Sequence, residues 1–168
     1  FARLRRMIEE NRGDASLLGL SDLETAQALG LVYSEDEKTI PTLAGLLLMG
    51  KEAVLRKHLP AREVAFQVLH SGQDVAVNEW HRWPLLRAHE WLTEALAVRN
   101  EEQEMMVDGI RVGVPRFDRS GAREAINNAL IHRDYGLLGA VHVQVHDDHL
   151  FISNPGGFVI GVNANNIL

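Results

Sequence analysis

Cysteine is absent from the 168 residues, which excludes disulfides and thiolate metal sites and fits a reducing compartment. Long apolar runs are missing too. The longest, Leu43–Met49, falls far short of the roughly 20 residues that cross a bilayer, so no membrane partner is expected. Basic charge is not in excess either. Seventeen Lys and Arg stand against 23 Asp and Glu, and the net charge is −6. A chain built mainly to hold nucleic acid needs a cationic face to neutralise phosphate, so that class is disfavoured, although one local basic patch remains compatible. Repeats and low-complexity segments are lacking. There is no cationic, apolar, small-residue leader within the chain, which opens on Phe1 rather than Met and reads as an excerpt. A cytoplasmic location is the expectation.

What is present is the composition of a globular protein, 46% hydrophobic and 24% charged, long enough for one domain or a domain with a small appended module. Residues 2–10 have helical character, with Leu4, Met7 and Ile8 on one face. Ser21-Asp-Leu-Glu24 is a capping box that starts a second helix, and Gly30 is placed to stop it. Residues 31–34 and 38–40 can pair as a short hairpin across Glu35, Asp36 and Glu37. Thr42 caps an apolar helix ended by Gly50.

After Pro60 the period changes. Val64, Phe66 and Val68 alternate as on a strand, and residues 83–98 return to helical spacing, with the acidic 101–104 stretch ending that helix. Ile110, Val112 and Val114 make a strand closed by Pro115. A helix over about 121–132 follows, capped by Asp118 or Ser120. Val141, Val143 and Val145 form a further strand, Asp147-Asp148 a turn, and residues 150–153 the hairpin partner, before the Pro155-Gly156-Gly157 loop. The valines are expected to be buried and His142 and His146 more exposed.

The segment Arg123-Glu-Ala-Ile-Asn-Asn-Ala-Leu-Ile-His-Arg-Asp-Tyr135 carries the most chemical information. Glu124 and Asn128 are four apart, so their side chains share a helix face. An amide oxygen ligates hard cations, and a carboxylate one turn away can hold or deprotonate an attacking water. By itself Glu-x-x-x-Asn occurs by chance on many exposed helices. Here it is followed by a hairpin that ends in Ser153-Asn-Pro-Gly-Gly157, and glycines just past a strand end let a backbone approach a flat ligand closely.

Helix, hairpin and glycine loop together resemble the GHKL (Bergerat-fold) ATPase superfamily. More narrowly, Arg123-Glu124-Ala125, Asn128-Ala129, His132 to Tyr135, Asp148-His149-Leu150 and Ser153 to Gly157 resemble a family of prokaryotic transcriptional regulators. Its carboxy-terminal domain goes by the name of a RecG-like ATP-dependent helicase. Leu29-Gly30-Leu31 and the stretch from Thr42 to Gly50 look like the upstream region of the same family. No Gly-x-x-x-x-Gly-Lys-Ser/Thr P-loop, which helicase motors require, is present.

The resemblance implies Asn128 as magnesium ligand and Glu124 as general base. It sets Asn154 in the place of the superfamily's adenine-contacting aspartate, with Gly156 and Gly157 shaping the pocket. Mg-ATP is the implied cofactor and ATP the partner of the full-length protein. DNA would be met through other parts of that protein, and homo-oligomerisation is open. An aspartate accepts from the adenine amino group without ambiguity, whereas Asn154 must orient its amide. The family's further Gly-x-Gly turn and phosphate-covering lid fall beyond Leu168, so the site is expected to be incomplete in this chain and the chain inactive alone.

The expected fold is α/β of the α+β type. Residues 1–60 form a helical, winged-helix-like module, and residues 61–168 a partial GHKL-like domain of helices over a mainly antiparallel sheet, truncated at its carboxy-terminal end. Glu124 and Asn128 should share a concavity with the 154–157 loop. Two readings rival ATP binding. One is an interaction or dimerisation domain that lost nucleotide chemistry. The other is a DNA-binding winged helix, whose reading helix over residues 23–29 carries no Lys or Arg. His142, His146 and His149 are read as hairpin surface, Arg111, Arg116, Arg119 and Arg123 as solvated charge, and Trp80, Trp83 and Trp91 as packing residues.

Overall fold

The computed structural model describes residues 1–10, 13–60, 62–70 and 74–157. The chain divides into two compact units: residues 1–60 with 84–87, and residues 61–83 with 88–168.

The first unit is helical with one small hairpin. Helix α1 (Ala2–Glu10) precedes a 3-10 turn (Ala15–Gly19) and α2 (Asp22–Ala28). The capping box is formed: the Ser21 amide donates to Glu24 Oε2 at 2.8 Å, and the Glu24 amide donates to Ser21 Oγ at 3.3 Å. The Ser21 hydroxyl, which donates to Glu24 Oε2 at 2.7 Å, and then the Ser21 amide hold the Glu24 carboxyl below its usual range. Gly30, at φ +64, reverses the chain after α2. Strands β1 (Val32–Glu35) and β2 (Lys38–Pro41) then pair antiparallel.

The turn between them is tighter than the sequence implied. Glu35 pairs with Lys38, leaving only Asp36 (φ 47) and Glu37 (φ 62), both left-handed as a two-residue hairpin turn demands. Thr42 Oγ1 accepts from the Gly45 amide at 3.0 Å and starts α3 (Leu43–Met49). Gly45 lies against the Leu31 backbone so closely that a Cβ would fall 2.1 Å from Leu31 O. A further helix not read from the sequence, α4 (Glu52–His58), begins without a side-chain cap and buries Leu55.

The second unit is built on a four-stranded sheet ordered β4-β3-β7-β8: β4 (Asp74–His81), β3 (Glu63–His70), β7 (Ala140–Val145) and β8 (Leu150–Ser153). The β3–β4 and β7–β8 pairs are antiparallel, and β3–β7 is parallel. A parallel pair needs a crossover. The chain supplies it with α5 (Leu85–Ala97), a hairpin of β5 (Glu102–Val107) and β6 (Ile110–Pro115), and α6 (Arg119–Ile131). The first turn of α5 is grouped with the first unit and the rest with this one.

Strict alternation makes one sheet face apolar. Val64, Phe66 and Val68 stand in register with Val141, Val143 and Val145, and all six are buried. Helix α5 adds Ala88, Leu92 and Leu96, and α6 adds Ala122, Ile126, Ala129 and Leu130. Phe66 meets Trp91 of α5 edge-on at 5.6 Å, and the Arg99 guanidinium lies 4.9 Å from the Phe66 ring centroid. The opposite face carries Ala65, Leu69 and a polar run in which Gln144 Nε2 donates to Gln67 Oε1 at 2.7 Å, and Gln67 Nε2 to Asn78 Oδ1 at 3.1 Å.

Strands β4 and β5 were not read from the sequence. The acidic 101–104 stretch does not simply end a helix: Glu102 and Glu104 begin β5. Glutamate is a poor strand former, and what overrides it is pairing with β6 across an Asp108-Gly109 turn, both residues at positive φ, with Arg111 bonded to Glu104 at 3.2 Å. Buried Asn100 clasps the hairpin base, donating to Phe117 O at 2.9 Å and accepting from the Phe117 amide at 3.1 Å.

Candidate functional site

Helix α6 carries the Glu-x-x-x-Asn pair. Of the two cap candidates, Asp118 serves: its Oδ2 accepts from the Gly121 amide at 2.5 Å. Ala122, Ile126, Ala129 and Leu130 form the buried arc at i, i+4, i+7 and i+8. That phase decides where Glu124 and Asn128 go. Both lie outside the arc, one turn apart on the same flank of the helix, and both are exposed.

The expected concavity shared by this pair and the glycine loop is therefore corrected. The groove of about 430 Å³ beside α6 is lined by Phe117, Asp118, Gly121, Ala122, Ala125, Leu150 and Ile152, and by neither Glu124 nor Asn128. Glu124 and Asn128 present their groups to solvent, because the four apolar residues of the arc claim the sheet-facing side.

What the structure brings together is the segment just after α6 and the loop after β8. The Asp134 amide donates to Pro155 O at 2.8 Å, joining two stretches more than twenty residues apart. Gly156 sits at φ +120, and a Cβ there would fall 3.1 Å from both Asp134 N and Asp134 Cβ. Gly139, at φ +126, would put a Cβ 2.9 Å from Pro155 Cγ. Gly157 is different, since a Cβ there would meet nothing within 4 Å among the described residues. Asn154 is half-buried and its Nδ2 donates to Pro155 O at 3.3 Å.

Arg133 is 4% exposed, an unusual burial for a guanidinium. Its Nη2 donates to Gly139 O at 2.6 Å, and its Cζ lies 5.1 Å from the Tyr135 ring centroid. Burial lowers its pKa, opposed by Tyr135, Glu63 and Asp134. Tyr135 Oη donates to Leu130 O at 2.6 Å and so satisfies a carbonyl at the end of α6. Burial raises the Tyr135 pKa, while Arg133 and Arg62 pull it down. The sequence marks His132 to Tyr135 as a motif but assigns it no task. Its signal was an ionisable run directly after an amphipathic helix, and the task shows only once the chain is folded.

The other polar clusters have structural partners. His146 and His149 stack at 4.2 Å, His149 Nδ1 lies 2.6 Å from Asp148 Oδ1, and His70 Nδ1 lies 2.9 Å from Asp147 Oδ1. His142 is half-buried and meets Trp80 edge-on at 5.5 Å, whereas Val141, Val143 and Val145 are buried as their alternation implied. Trp83 stacks on His81 at 3.7 Å and meets Trp91 edge-on at 5.5 Å, so these two tryptophans are packing residues, while Trp80 is 47% exposed. Among the arginines, Arg116 donates to His146 O. In the first unit Arg5 bonds Asp22 at 2.5 Å and Leu20 O at 2.8 Å. No helix among the described residues is long and apolar enough to cross a membrane.

Residues 1–65 match the profile of a domain of unknown function, DUF8451. No curated protein matches the chain. Among solved structures, the crystal structure of the DIP2311 protein from Corynebacterium diphtheriae is similar, with a TM-score of 0.70 and 24% identity over 92% of this chain. The chain spans 30% of that protein's length, and at this identity the likeness establishes the fold alone.

Proposed function

We propose that the second unit is part of an ATP-binding regulatory domain of GHKL type, belonging to a transcriptional regulator of greater length. The observation that carries this reading is the Asp134–Pro155 hydrogen bond, which sets the end of the Glu124–Asn128 helix beside the glycine loop. The linked motifs of the sequence are then neighbours in space, as a nucleotide site assembled from both would require. Gly157 adds support: neither crowding nor a positive φ within the described fold demands glycine there, which suits a backbone kept bare for a ligand.

The side chains fit the implied group in part. Asn128 would hold Mg²⁺ through its amide oxygen, and Glu124, on the same exposed flank, would orient or deprotonate water. Mg-ATP, when bound, would supply the phosphoanhydride and the charge that polarises it. Asn154 would read adenine by accepting from its amino group at Oδ1, the amide oxygen that the Nδ2–Pro155 O bond does not use. ATP hydrolysis in the longer protein and a cytoplasmic setting belong to the same proposal.

A second reading, an interaction domain without nucleotide chemistry, draws on the β5–β6 hairpin. Its strands pair only with each other among the described residues, and Met105, Val107, Ile110, Val112 and Val114 are exposed on one face. Direct DNA reading by α2 has less behind it, since that helix offers Asp22 and Glu24 in its first turn and no basic residue in its last.

Titration calorimetry with Mg-ATP on the longer protein separates the first two readings. Wild type should bind, and Gly157→Ala should weaken binding while its unfolding free energy stays within about 0.5 kcal/mol of wild type, since the new methyl meets nothing within 4 Å among the described residues. Equal affinity in both proteins would remove Gly157 from the site. No binding by wild type at millimolar nucleotide would leave the interaction reading.

A further inference from the structure

We infer that the 133–139 turn is the positioning element of the glycine loop: Arg133, Asp134 and Gly139 together fix the path of residues 154–156. For its ligand this rests on the nucleotide reading above; for its geometry it does not. Three separate contacts converge. The Asp134 amide is hydrogen-bonded to Pro155 O at 2.8 Å rather than continuing the helix ladder. Gly139 offers a bare Cα to the Pro155 ring, and Gly156 a bare Cα to Asp134, each at a φ that L side chains avoid.

The turn itself is held from within. Asp134 Oδ1 accepts from the Gly136 amide at 2.8 Å, and the Leu137 amide donates to Asp134 O at 3.3 Å. The buried Arg133 guanidinium pins Gly139 O at the far end while lying against Tyr135, whose hydroxyl is anchored on Leu130 O. A planar fork buried beside an aromatic ring is costly to rearrange, so the turn has one geometry to impose. The loop takes that geometry at Pro155 and Gly156, immediately beside Asn154, the residue proposed to read the base. Arg133, Asp134 and Gly139 are accordingly positioning residues, acting through the loop and touching no ligand themselves.

Hydrogen exchange followed by NMR on the whole chain, with Mg-ATP titration of the longer protein, tests this. In Gly139→Ala the new Cβ forces Pro155 away, and the Asp134 amide should exchange about tenfold faster while the amides of β3 and β7 keep their rates. Adding Pro155→Ala removes the ring carbon that is struck, and the double variant should recover part of the protection. Arg133→Lys keeps the charge but loses the fork, and should loosen the same amide to a smaller degree, which keeps the test alive if Gly139→Ala does not fold. Mg-ATP affinity should fall about tenfold in Gly139→Ala and return partly in the double variant. An Asp134 amide unchanged in both Arg133→Lys and Gly139→Ala, or accelerated only together with β7, overturns the inference. Should wild type bind no Mg-ATP while the exchange pattern holds, the nucleotide reading fails and the positioning stands.

Discussion

His89, on α5, has both ring nitrogens buried with no hydrogen-bond partner among the described residues. Its pKa is depressed below the ordinary 6.5, first by burial and then by the nearby positive charge of Arg123, with Glu90 opposing. A base whose folded pKa lies below its unfolded one favours the fold while it is neutral. The unfolded chain takes up the proton first as the pH drops through 6.5, so stability is full above that value and is lost progressively below it. Denaturant titrations between about pH 7.5 and 5 should therefore show wild type losing more stability than His89→Leu. Parallel pH profiles for the two proteins would show that His89 is not protonation-sensitive in the fold. At this scale the sequence conceals most: a histidine in an amphipathic helix carries no mark of whether its ring is hydrated. Nor does Arg133 announce that it will be buried, since arginine is mostly a surface residue.

The elements were legible where pattern and caps agree. Helix α2 starts at its capping box, α6 starts at Asp118, and β7 alternates as read with β8 as its antiparallel partner. Those that escaped notice lack such marks. Helix α4 has no side-chain cap bond and one buried residue. Strand β4 is an edge strand with exposed Val75 and Trp80, so its alternation is blurred. Strand β5 opens on glutamates and buries no residue, which leaves no apolar periodicity to the core. The exposure of the β5–β6 hairpin has an energetic consequence. Ile110→Thr should change unfolding free energy by no more than about 0.5 kcal/mol, because its side chain is already in water. Leu92→Ala, at a position fully buried under α5, should cost about 2–5 kcal/mol. Urea denaturation of both variants makes the comparison. A loss of more than about 1 kcal/mol in Ile110→Thr would mean that the hairpin face is covered in solution.

At the level of the whole chain, the α+β architecture and the β1–β2 and β7–β8 hairpins followed from sequence pattern, whereas the β3–β4 and β5–β6 hairpins did not. The parallel β3–β7 pair did not, because it joins strands some seventy residues apart and no local signal specifies a register across that distance. The candidate site was legible to the same degree. The helix and the glycine loop were identified as segments, and that they adjoin is a property of the fold. Glu124 and Asn128 share a helix face as read, but that face is exposed, because the arc of Ala122, Ile126, Ala129 and Leu130 takes the sheet-facing side.

The central claim, that this architecture serves Mg-ATP, is tested most directly by thermal melting with and without Mg-ATP, on this chain and on the longer protein. A ligand of the native state at about 100 times its Kd adds roughly 2.7 kcal/mol. The longer protein should melt higher with Mg-ATP and Asn128→Ala should abolish the rise, and, on the expectation that the Gly-x-Gly turn and lid fall beyond Leu168, the 168-residue chain should hardly move. No shift in the longer protein at millimolar Mg-ATP, or a full shift that survives Asn128→Ala, would contradict it.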